Sequence, residues 1–420
     1  MTPTRRRSPG PRPALVCYDD APARRFEPFA LTRPWSTMRV GALLVHERWR
    51  RSLGAGRCRL LAGPHHAGFR DPGGPGAARG TLTAGTWVVN SRCAVALAPL
   101  ATETPVLTCP GPDGRPRVAA VRLAHAEPVA AFADGTYSLE QLARRHHGRR
   151  RGHPVRGAWC DAVWDALTLL DRTLQDDLPM LATALGCERL EAPGVTVLGA
   201  HAVWVEAGVA VEPQTVFDTN AGPVLLASGA RVQAFSRVSG PCYVGPHSTI
   251  SGGRVGGSAI GDTCKVNGEV SATIWLGHAN KGHDGFVGHS MLGRWVNLGA
   301  GTTTSNLKNT YGPVALWTPD GVRDTGRQFL GTLFGDHVKT GIGLRLTTGC
   351  VLGAGANVVD RMPPKMVAPF AWGSGVPYAT YDLEKFLETA ERVMMRRHVP
   401  LDGATARHLR GAFARRWSDA

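Results

Sequence analysis

One histidine of this sequence stands in a context that suits proton transfer. His283 lies in the segment NKGHDGFVG, close to Lys281 and Asp284. The unperturbed pKa of histidine, about 6.5, leaves the imidazole largely neutral at physiological pH and able to act as a general base. Lys281 could neutralise a phosphate group and Asp284 could orient the imidazole, although both residues would equally suit a solvated turn. The pattern favours transfer of an acyl group from a thioester to an amine, which needs a base, donors that steady the oxyanion and two substrates held together.

A six-residue period runs through the part of the chain that contains His283. Small and turn-forming residues separate apolar residues that recur at this spacing: Val205, Val211, Phe217, and again Val232, Val238, Val244 and Ile250. The period fits neither an amphipathic helix nor a simple alternating strand. It predicts a left-handed parallel β-helix of hexapeptide repeats over residues 191–372, in which each face is one hexapeptide long and directs one side chain inward.

The period is interrupted at HANKGHDGFVG and at SNLKNTYGPVALWTPDGVRDTGRQF. A repeat protein can extrude loops from one face without disturbing the stack, and such loops often form the site.

Strand and helix signals alternate before the β-helix and predict an α/β domain over residues 14–157. Here ALVCYDD and TWVVN are predicted strands, and YSLEQLARRHHG is a predicted helix. A connecting helix is expected within residues 158–190, because apolar residues of 158–182 follow a helical spacing. A C-terminal helical segment covers 373–420, and its amphipathic helix over 382–397 would cap or follow the last coil. Residues 1–13 are basic and Pro-rich without an apolar segment behind them, and are expected to be a disordered leader and not a secretory signal.

The composition and the net charge limit the kinds of binding partner that the sequence predicts. A net charge of +15 over 420 residues attracts anions, and much of it lies in residues 5–7 and in the run RRHHGRRRGHPVR at 144–156. Neither cluster has interleaved aromatic residues, so a nucleic-acid partner is not favoured and a solvated basic loop is the simpler reading. No apolar run is long enough for a membrane span. Nine cysteines without a C-x-x-C pair indicate reduced thiols and a cytoplasmic location.

The run K-G-H-x-x-F-x-G, followed by WVNLGAGTTTSN, resembles the acetyltransferase half of the bacterial GlmU enzymes. That bifunctional family acetylates glucosamine-1-phosphate and then uridylylates the product, in the biosynthesis of UDP-N-acetylglucosamine. The resemblance implies that His283 is the catalytic base, with acetyl-CoA as co-substrate. It further implies substrate contacts from Lys281, Phe286, Asn297, Asn306 and Lys308, and contacts to coenzyme A from Ala300 and Asn306.

Three positions depart from the family pattern. Phe286 and Leu307 stand where the family usually has Tyr, and Ser271 stands where it has a Lys that contacts phosphate. The cations that could replace that lost contact are Lys308, Lys339 and Arg345.

A closer resemblance, along most of the chain, is to a divergent GlmU-like branch of sugar nucleotidyltransferases. It rests on LxxTRPxxxMRVG at 31–41, and on NKGHDGFVG, SNLKNTYGPVALW, DTGRQFLGTLFGDHVKTGI and PFAWG. By analogy, residues 14–190 would be the nucleotidyltransferase-like domain, with Mg²⁺ required if that domain is active.

The loop after the first predicted strand lacks the glycines that cradle nucleotide phosphates in an ordinary sugar-nucleotide pyrophosphorylase. Arg33 and Arg39 could supply charge to a nucleotide, and Asp19 or Asp20 could hold Mg²⁺. Ordinary ion pairs would explain the same residues.

Three functions therefore stay open. The leading one is acyl-CoA-dependent N-acylation of an amino-sugar phosphate or nucleotide sugar. The resemblance implies a homotrimer with sites between subunits, and a flat-faced coil stack would permit that association. The second is sugar-1-phosphate nucleotidyl transfer from UTP or another NTP, with the β-helix as scaffold. The third is a non-enzymatic scaffold that binds a sugar nucleotide.

Overall fold

The structure, a computed structural model, describes residues 12–417. Nearly all of the predicted basic leader, including the arginines at 5–7, lies outside the described residues. The described chain forms an α/β domain, a parallel β-helix and two C-terminal helices, which confirms the predicted fold class. Its α-helices are α1 (Val45–Ser52), α2 (Leu139–His147), α3 (Asp165–Leu185), α4 (Leu383–Met395) and α5 (Gly403–Ala414). Short 3-10 helices cover Ala23–Arg25, Trp35–Thr37, Pro64–His66 and Val129–Phe132.

The α/β domain is built on a mixed sheet whose strands lie in the order His153–Pro154, Val106–Pro110, Pro116–Arg122, Trp87–Asn90, Leu15–Tyr18 and Cys58–Leu61. The first strand, Leu15–Tyr18, runs parallel to both of its neighbours, whereas Pro116–Arg122 is antiparallel to its own. Three short antiparallel pairs flank the sheet: Arg39–Val40 with Leu43–Leu44, Thr81–Leu82 with Glu127–Pro128, and Cys93–Val95 with Gly157–Trp159.

The two faces of the sheet bury different helices because alternate residues of a strand point to opposite sides. Val16 and Tyr18 pack in one cluster with Leu142 of α2. Leu15 belongs to the cluster that contains α1, α3 and the nearest face of the β-helix.

Helix α3 therefore packs between the sheet and the β-helix. It begins at Asp165, later than the sequence pattern predicts, because Gly157–Trp159 pairs as a strand with Cys93–Val95.

The β-helix has three faces. Face A contains Glu188–Arg189, Val203–Val205, Val224–Leu226, Cys242–Val244, Ala259–Ile260, Ile274–Trp275, Met291–Leu292, Thr332–Phe334, Cys350–Leu352 and Met366–Val367. Face B contains Thr196–Leu198, Val216–Asp218, Ser236–Ser239, Gly253–Gly256, Glu269–Ser271 and Phe286–Gly288, followed by the pair Thr303–Thr304 and Arg345–Leu346. Face C contains Ala210–Val211, Arg231–Val232, Thr249–Ile250, Lys265–Val266, Asn280–Lys281, Lys339–Thr340, Asn357–Val358 and Ala371–Gly373, closed by the antiparallel strand Ala379–Thr380.

Consecutive coils stack in parallel register, so inward side chains form columns. Val232 lies beside Ile250, which lies beside Val266, and all three are buried. Val238 and Val244 are equally buried on the other two faces. The six-residue period thus predicted the columns correctly.

The long excursion after Ser305 contains the hairpin Ala315–Thr318 and Gly321–Asp324. This hairpin returns to the α/β domain. Arg25 forms an ion pair with Asp320, and the guanidinium of Arg323 lies 5.1 Å from the ring centroid of Trp164.

A buried ionic network joins the α/β domain to the β-helix. Arg33 Nη1 lies 3.0 Å from Asp71 Oδ2, and its Nε lies 2.9 Å from Asp336 Oδ2 of the β-helix. Arg294 of the β-helix reaches back to Asp71 at 3.3 Å and also pairs with Asp262 at 3.0 Å. Burial alone would raise the pKa of Asp71, but the two guanidinium groups reverse that effect and lower it. Arg33, which the sequence suggested as a source of charge for a nucleotide, is thus engaged in this ionic network.

The C-terminal helices pack along the side of the last coils. Phe386 of α4 makes an edge contact with Phe370, at 4.9 Å between centroids. His408 of α5 contacts the Thr32 carbonyl oxygen of the α/β domain at 2.7 Å. The predicted helix over 382–397 is confirmed as Leu383–Met395, and α5 adds a contact to the first domain that the sequence pattern did not indicate.

All nine cysteines lie among the described residues and are free thiols, as predicted. Within residues 12–417, no helix has the length and apolar character needed to cross a membrane.

The stability of the protein should depend on the buried ionic network between the α/β domain and the β-helix. Asp71→Asn leaves two buried guanidinium groups short of their shared partner, so we expect a loss of about 3–5 kcal/mol in unfolding free energy, measured by urea denaturation. Glu388→Gln, which breaks an exposed pair with Arg392 on α4, is the control and should change it by less than about 0.5 kcal/mol. Equal effects of the two changes would contradict this role of the network.

Candidate functional site

The loop that carries His283 connects face C to face B. It follows the strand Asn280–Lys281 and precedes Phe286–Gly288, and both His283 and Asp284 are exposed. The Asp284 carbonyl oxygen accepts a hydrogen bond from Gly301 N of the next coil at 2.9 Å. A Cβ at Gly285 would lie 2.3 Å from the Thr302 carbonyl oxygen, and its φ is +129°. Glycine is required there, and the loop lies directly on the coil below it.

Lys281 does not face solvent. In face C it lies beside Val266, at a position that earlier coils fill with Val232 and Ile250, and it is 1% exposed. Its Nζ donates to the carbonyl oxygens of Asn267 at 2.8 Å and of His283 at 2.7 Å. Burial lowers the pKa of Lys281 to about 8. A cation inside an apolar column is costly unless its donors are satisfied, and here they fix the backbone of His283.

Phe286 and Asn306 are brought together beside this loop. A Cβ at Gly288 would meet the Phe286 ring at 2.4 Å and Asn306 Nδ2 at 2.7 Å, so both side chains lie over that glycine. Asn306 Nδ2 donates to His289 Nδ1 at 2.8 Å. Burial lowers the pKa of His289 to about 4, which keeps this nitrogen free to accept. His289 in turn stacks on Phe329, at 5.2 Å between centroids.

Asn297 lies one coil further along, on face C. It is aligned between Asn280 and Lys339, and its Oδ1 accepts from Asn280 Nδ2 at 2.8 Å. Lys339 Nζ donates to the carbonyl oxygens of Trp295 and His337, and burial lowers the pKa of Lys339 to about 7. Asn297 is therefore held by a neighbouring coil and does not share the Phe286–Asn306 cluster.

Ala300 borders a groove that adjoins the loop of His283, because Gly301 of its lining donates to the Asp284 carbonyl oxygen. The groove measures about 600 Å³ and is lined by Ala300, Gly301, Ile342, Gly343, Arg345 and Arg361. Ile342 is 83% exposed, and both arginines are exposed beside it. Apolar surface next to two guanidinium groups can hold a ligand that has an apolar arm and phosphate groups. Lys308, by contrast, donates to the Pro313 carbonyl oxygen and closes its own loop.

The two acidic residues predicted to hold Mg²⁺ already have protein partners. The carboxylate of Asp19 accepts from the backbone N–H groups of Trp35 at 2.6 Å and Ser36 at 3.2 Å, and burial raises its pKa to about 6. Asp20 pairs with Arg92 at 2.8 Å. The carboxylates after the first strand thus serve the local fold.

The arginines predicted to contact nucleotide are also engaged. Arg33 belongs to the buried junction with Asp71 and Asp336. Arg39 donates to the Ala42 carbonyl oxygen, and its guanidinium lies 5.5 Å from the ring centroid of Tyr243 on the β-helix. Both side chains are buried between the two domains.

Sequence reasoning missed His289 and Asn280, which hold Asn306 and Asn297 in place. The position of Lys281 within the six-residue repeat could have shown that its side chain is buried, because strict stacking places it inside the coil. For His289 no local pattern existed, because its partner Asn306 is brought close only by the next coil.

The buried ammonium of Lys281 makes a pH-dependent prediction. Because its pKa in the fold, about 8, lies below the ordinary 10.5, its charge destabilises the fold fully below about pH 8. That penalty disappears as the pH rises towards the ordinary value. Wild type should therefore gain stability relative to Lys281→Met between pH 7 and pH 10, measured as thermal midpoints. Lys265→Met, at an exposed position one coil earlier, is the control. If the difference in thermal midpoint between wild type and Lys281→Met does not change with pH, the burial of this charge is contradicted.

Comparison with known proteins agrees with this architecture. A family model described as sugar nucleotidyl transferase matches residues 15–184. The bifunctional protein GlmU of Desulfitobacterium hafniense is 26% identical over 264 residues, which is 56% of this chain and 54% of that protein. GlmU of Sphingopyxis alaskensis is 31% identical over 138 residues, 30% of this chain and 29% of that protein. The uncharacterized acetyltransferase YaiX of Escherichia coli is 25% identical over 186 residues, 43% of this chain and 77% of that protein.

The chain spans about half the length of the first of these relatives. The family model falls on the α/β domain and helix α3. The chain is thus similar to bifunctional GlmU proteins over about half of its length, and its residues 15–184 are similar to sugar nucleotidyl transferases.

Proposed function

We propose that this protein is a transferase whose β-helix moves an acyl group, most simply acetyl, from coenzyme A to the amino group of an amino-sugar phosphate or nucleotide sugar. The observation that carries the proposal is the exposed His283 on a loop whose backbone is fixed by the buried Lys281. A base on a fixed backbone can be held at one geometry relative to a substrate. The words GlmU and acetyltransferase in the names of the relatives support the same reaction class.

In the proposed reaction, the amine nitrogen attacks the thioester carbonyl carbon. His283 accepts the proton that the nitrogen loses as the new C–N bond forms. The C–S bond then breaks, and the thiolate leaves as free coenzyme A after taking up a proton. Asp284, the next residue in the chain and also exposed, would orient the imidazole.

Binding of the two substrates is assigned to the surfaces around the loop. Phe286 and Asn306 would contact the sugar, since they lie together over Gly288. The groove beside Ala300 would take coenzyme A, with Ile342 against the apolar arm and Arg345 and Arg361 towards the phosphates. Lys281 acts as a positioning residue and not as a phosphate contact, because its donors are turned to backbone carbonyls.

We further propose a homotrimer. Met362 at 59% and Val359 at 55% are strongly exposed for apolar residues of a coil stack, and association through a flat face would cover such side chains. Sedimentation of a single monomeric species at micromolar concentration would contradict this assembly.

The reaction is tested by release of free thiol from acetyl-CoA in the presence of a panel of amino-sugar phosphates and nucleotide-linked amino sugars. His283→Ala should lower the turnover at least about 100-fold, the lower end of what a general base contributes. His201→Ala, which removes an exposed histidine from the first coils, is the matched control and should leave the rate unchanged. Thiol release that survives His283→Ala would remove this residue from the chemistry.

A second candidate is sugar-1-phosphate nucleotidyl transfer, favoured by the match of residues 15–184 to a sugar nucleotidyl transferase family model. The engagement of Asp19 with backbone amides and of Asp20 with Arg92 does not fit a Mg²⁺ site at those residues. We therefore derive no metal-dependent step for this domain.

Three measurements distinguish the candidate functions. Chelation with EDTA should leave thiol release unchanged, because no step of the proposed acyl transfer requires a metal. Pyrophosphate release from UTP and a sugar-1-phosphate that requires Mg²⁺ would support the second candidate. The third, a non-enzymatic scaffold, predicts neither product but a thermal shift with a sugar nucleotide.

A further inference from the structure

A concave basic surface lies on the α/β domain, separate from the loop of His283. It measures about 630 Å³ and lies between α1, the edge strand Cys58–Leu61 and the loop over residues 70–79. Five exposed arginines line it, and we call it the arginine groove: Arg50, Arg57, Arg59, Arg70 and Arg79.

The charge of the arginine groove is not balanced by protein carboxylates. Within residues 12–417, none of its five arginines forms an ion pair, whereas Arg33, Arg48 and Arg92 of the same domain all pair with aspartates. Its one acidic lining residue is Glu47, whose Oε2 accepts from Leu44 N at 3.0 Å. Five guanidinium groups gathered around a single carboxylate repel one another, and an anion relieves that repulsion.

The wall opposite α1 is made of backbone with few side chains. The sequence GGPG occupies residues 73–76. Leu60 N donates to the Gly76 carbonyl oxygen at 3.0 Å, and Ala78 N donates to the Leu60 carbonyl oxygen at 2.8 Å. The loop is thus attached to the edge strand. The absence of side chains at Gly73 and Gly74 leaves the groove open to a ligand.

The arginine groove is not at the carboxyl ends of the parallel strands, where open α/β sheets bind nucleotides. Arg57 precedes the edge strand and Arg59 lies near its start, whereas the carboxyl ends of Leu15–Tyr18 and Trp87–Asn90 lead into the Asp19 and Asp20 contacts. A ligand in the groove would therefore be distinct from a nucleotidyl-transfer substrate.

We propose that the arginine groove binds a small molecule that carries a chain of two or more phosphates, such as a nucleoside triphosphate. Guanidinium groups bind phosphate oxygens in pairs of parallel hydrogen bonds, and the volume is that of a small-ligand pocket. A single-stranded nucleic acid would need aromatic platforms for its bases, and apart from His46 the lining has no aromatic ring. This binding does not depend on the proposed acyl transfer.

The test is isothermal titration of the full chain with inorganic tripolyphosphate, UTP, ATP and coenzyme A at physiological ionic strength without added metal. Arg57→Glu/Arg59→Glu should weaken binding by at least about ten-fold, because two charge-assisted contacts are replaced by repulsion. Arg149→Glu/Arg151→Glu makes the same change of net charge in the exposed basic run, and should leave binding within about two-fold, because that run lies outside the groove. Arg79→Glu is a second groove variant, and thermal midpoints check that each variant is folded.

The four ligands identify the source of the phosphate chain. Equal affinity for tripolyphosphate and the nucleotides would mean that the phosphate chain alone is recognised, and tighter binding of one nucleotide would add a base contact. The proposal is overturned by no binding, by equal weakening in the groove and control variants, or by a single-stranded oligonucleotide that displaces the small ligands at lower concentration.

Discussion

The constraint on which the rest of the β-helix depends is the parallel register of its coils. Each inward side chain must lie against the equivalent side chain of the next coil, so the columns are apolar and closely packed. In face C, Val232, Ile250 and Val266 obey this rule, and Lys281 breaks it. The exception is stabilised by two backbone carbonyls, one of which belongs to His283. The place where the repeat departs from its own rule is therefore the place where the exposed histidine is fixed.

The same register explains what the sequence could and could not predict. The six-residue period located the β-helix and its inward residues because stacking repeats one local requirement in every coil. The contact between Asn306 and His289 could not be read from spacing, since a loop excursion decides which residues meet across coils. Lys281 was interpreted from its neighbours in the sequence as a phosphate contact, whereas its place in the column makes it a structural cation.

The α/β domain has no such repeat, and its charged residues were harder to interpret from the sequence. Two of its strands, Leu15–Tyr18 and Trp87–Asn90, and its helix α2 were predicted, but its other strands and the roles of its charged residues were not. Arg33 and Arg39 look like free cations in the sequence, and only the packing of α3 and the β-helix against the domain shows why they are buried. The long matching segment TRPWSTMRVG thus has a structural explanation: Arg33 joins two domains through Asp336. A resemblance carried by such a segment indicates shared architecture more directly than shared nucleotide chemistry.

The central claim is that the chemistry lies in the β-helix, at His283, and not in the α/β domain. It is tested most directly by following an isotope-labelled acetyl group from acetyl-CoA by mass spectrometry, with glucosamine-1-phosphate as acceptor and with nucleotide and metal omitted. The account predicts that the label appears on the amino nitrogen of the sugar in wild type and is absent with His283→Ala. Unlabelled sugar in that reaction, together with nucleotide-dependent formation of a sugar nucleotide when UTP and Mg²⁺ are supplied, would contradict it.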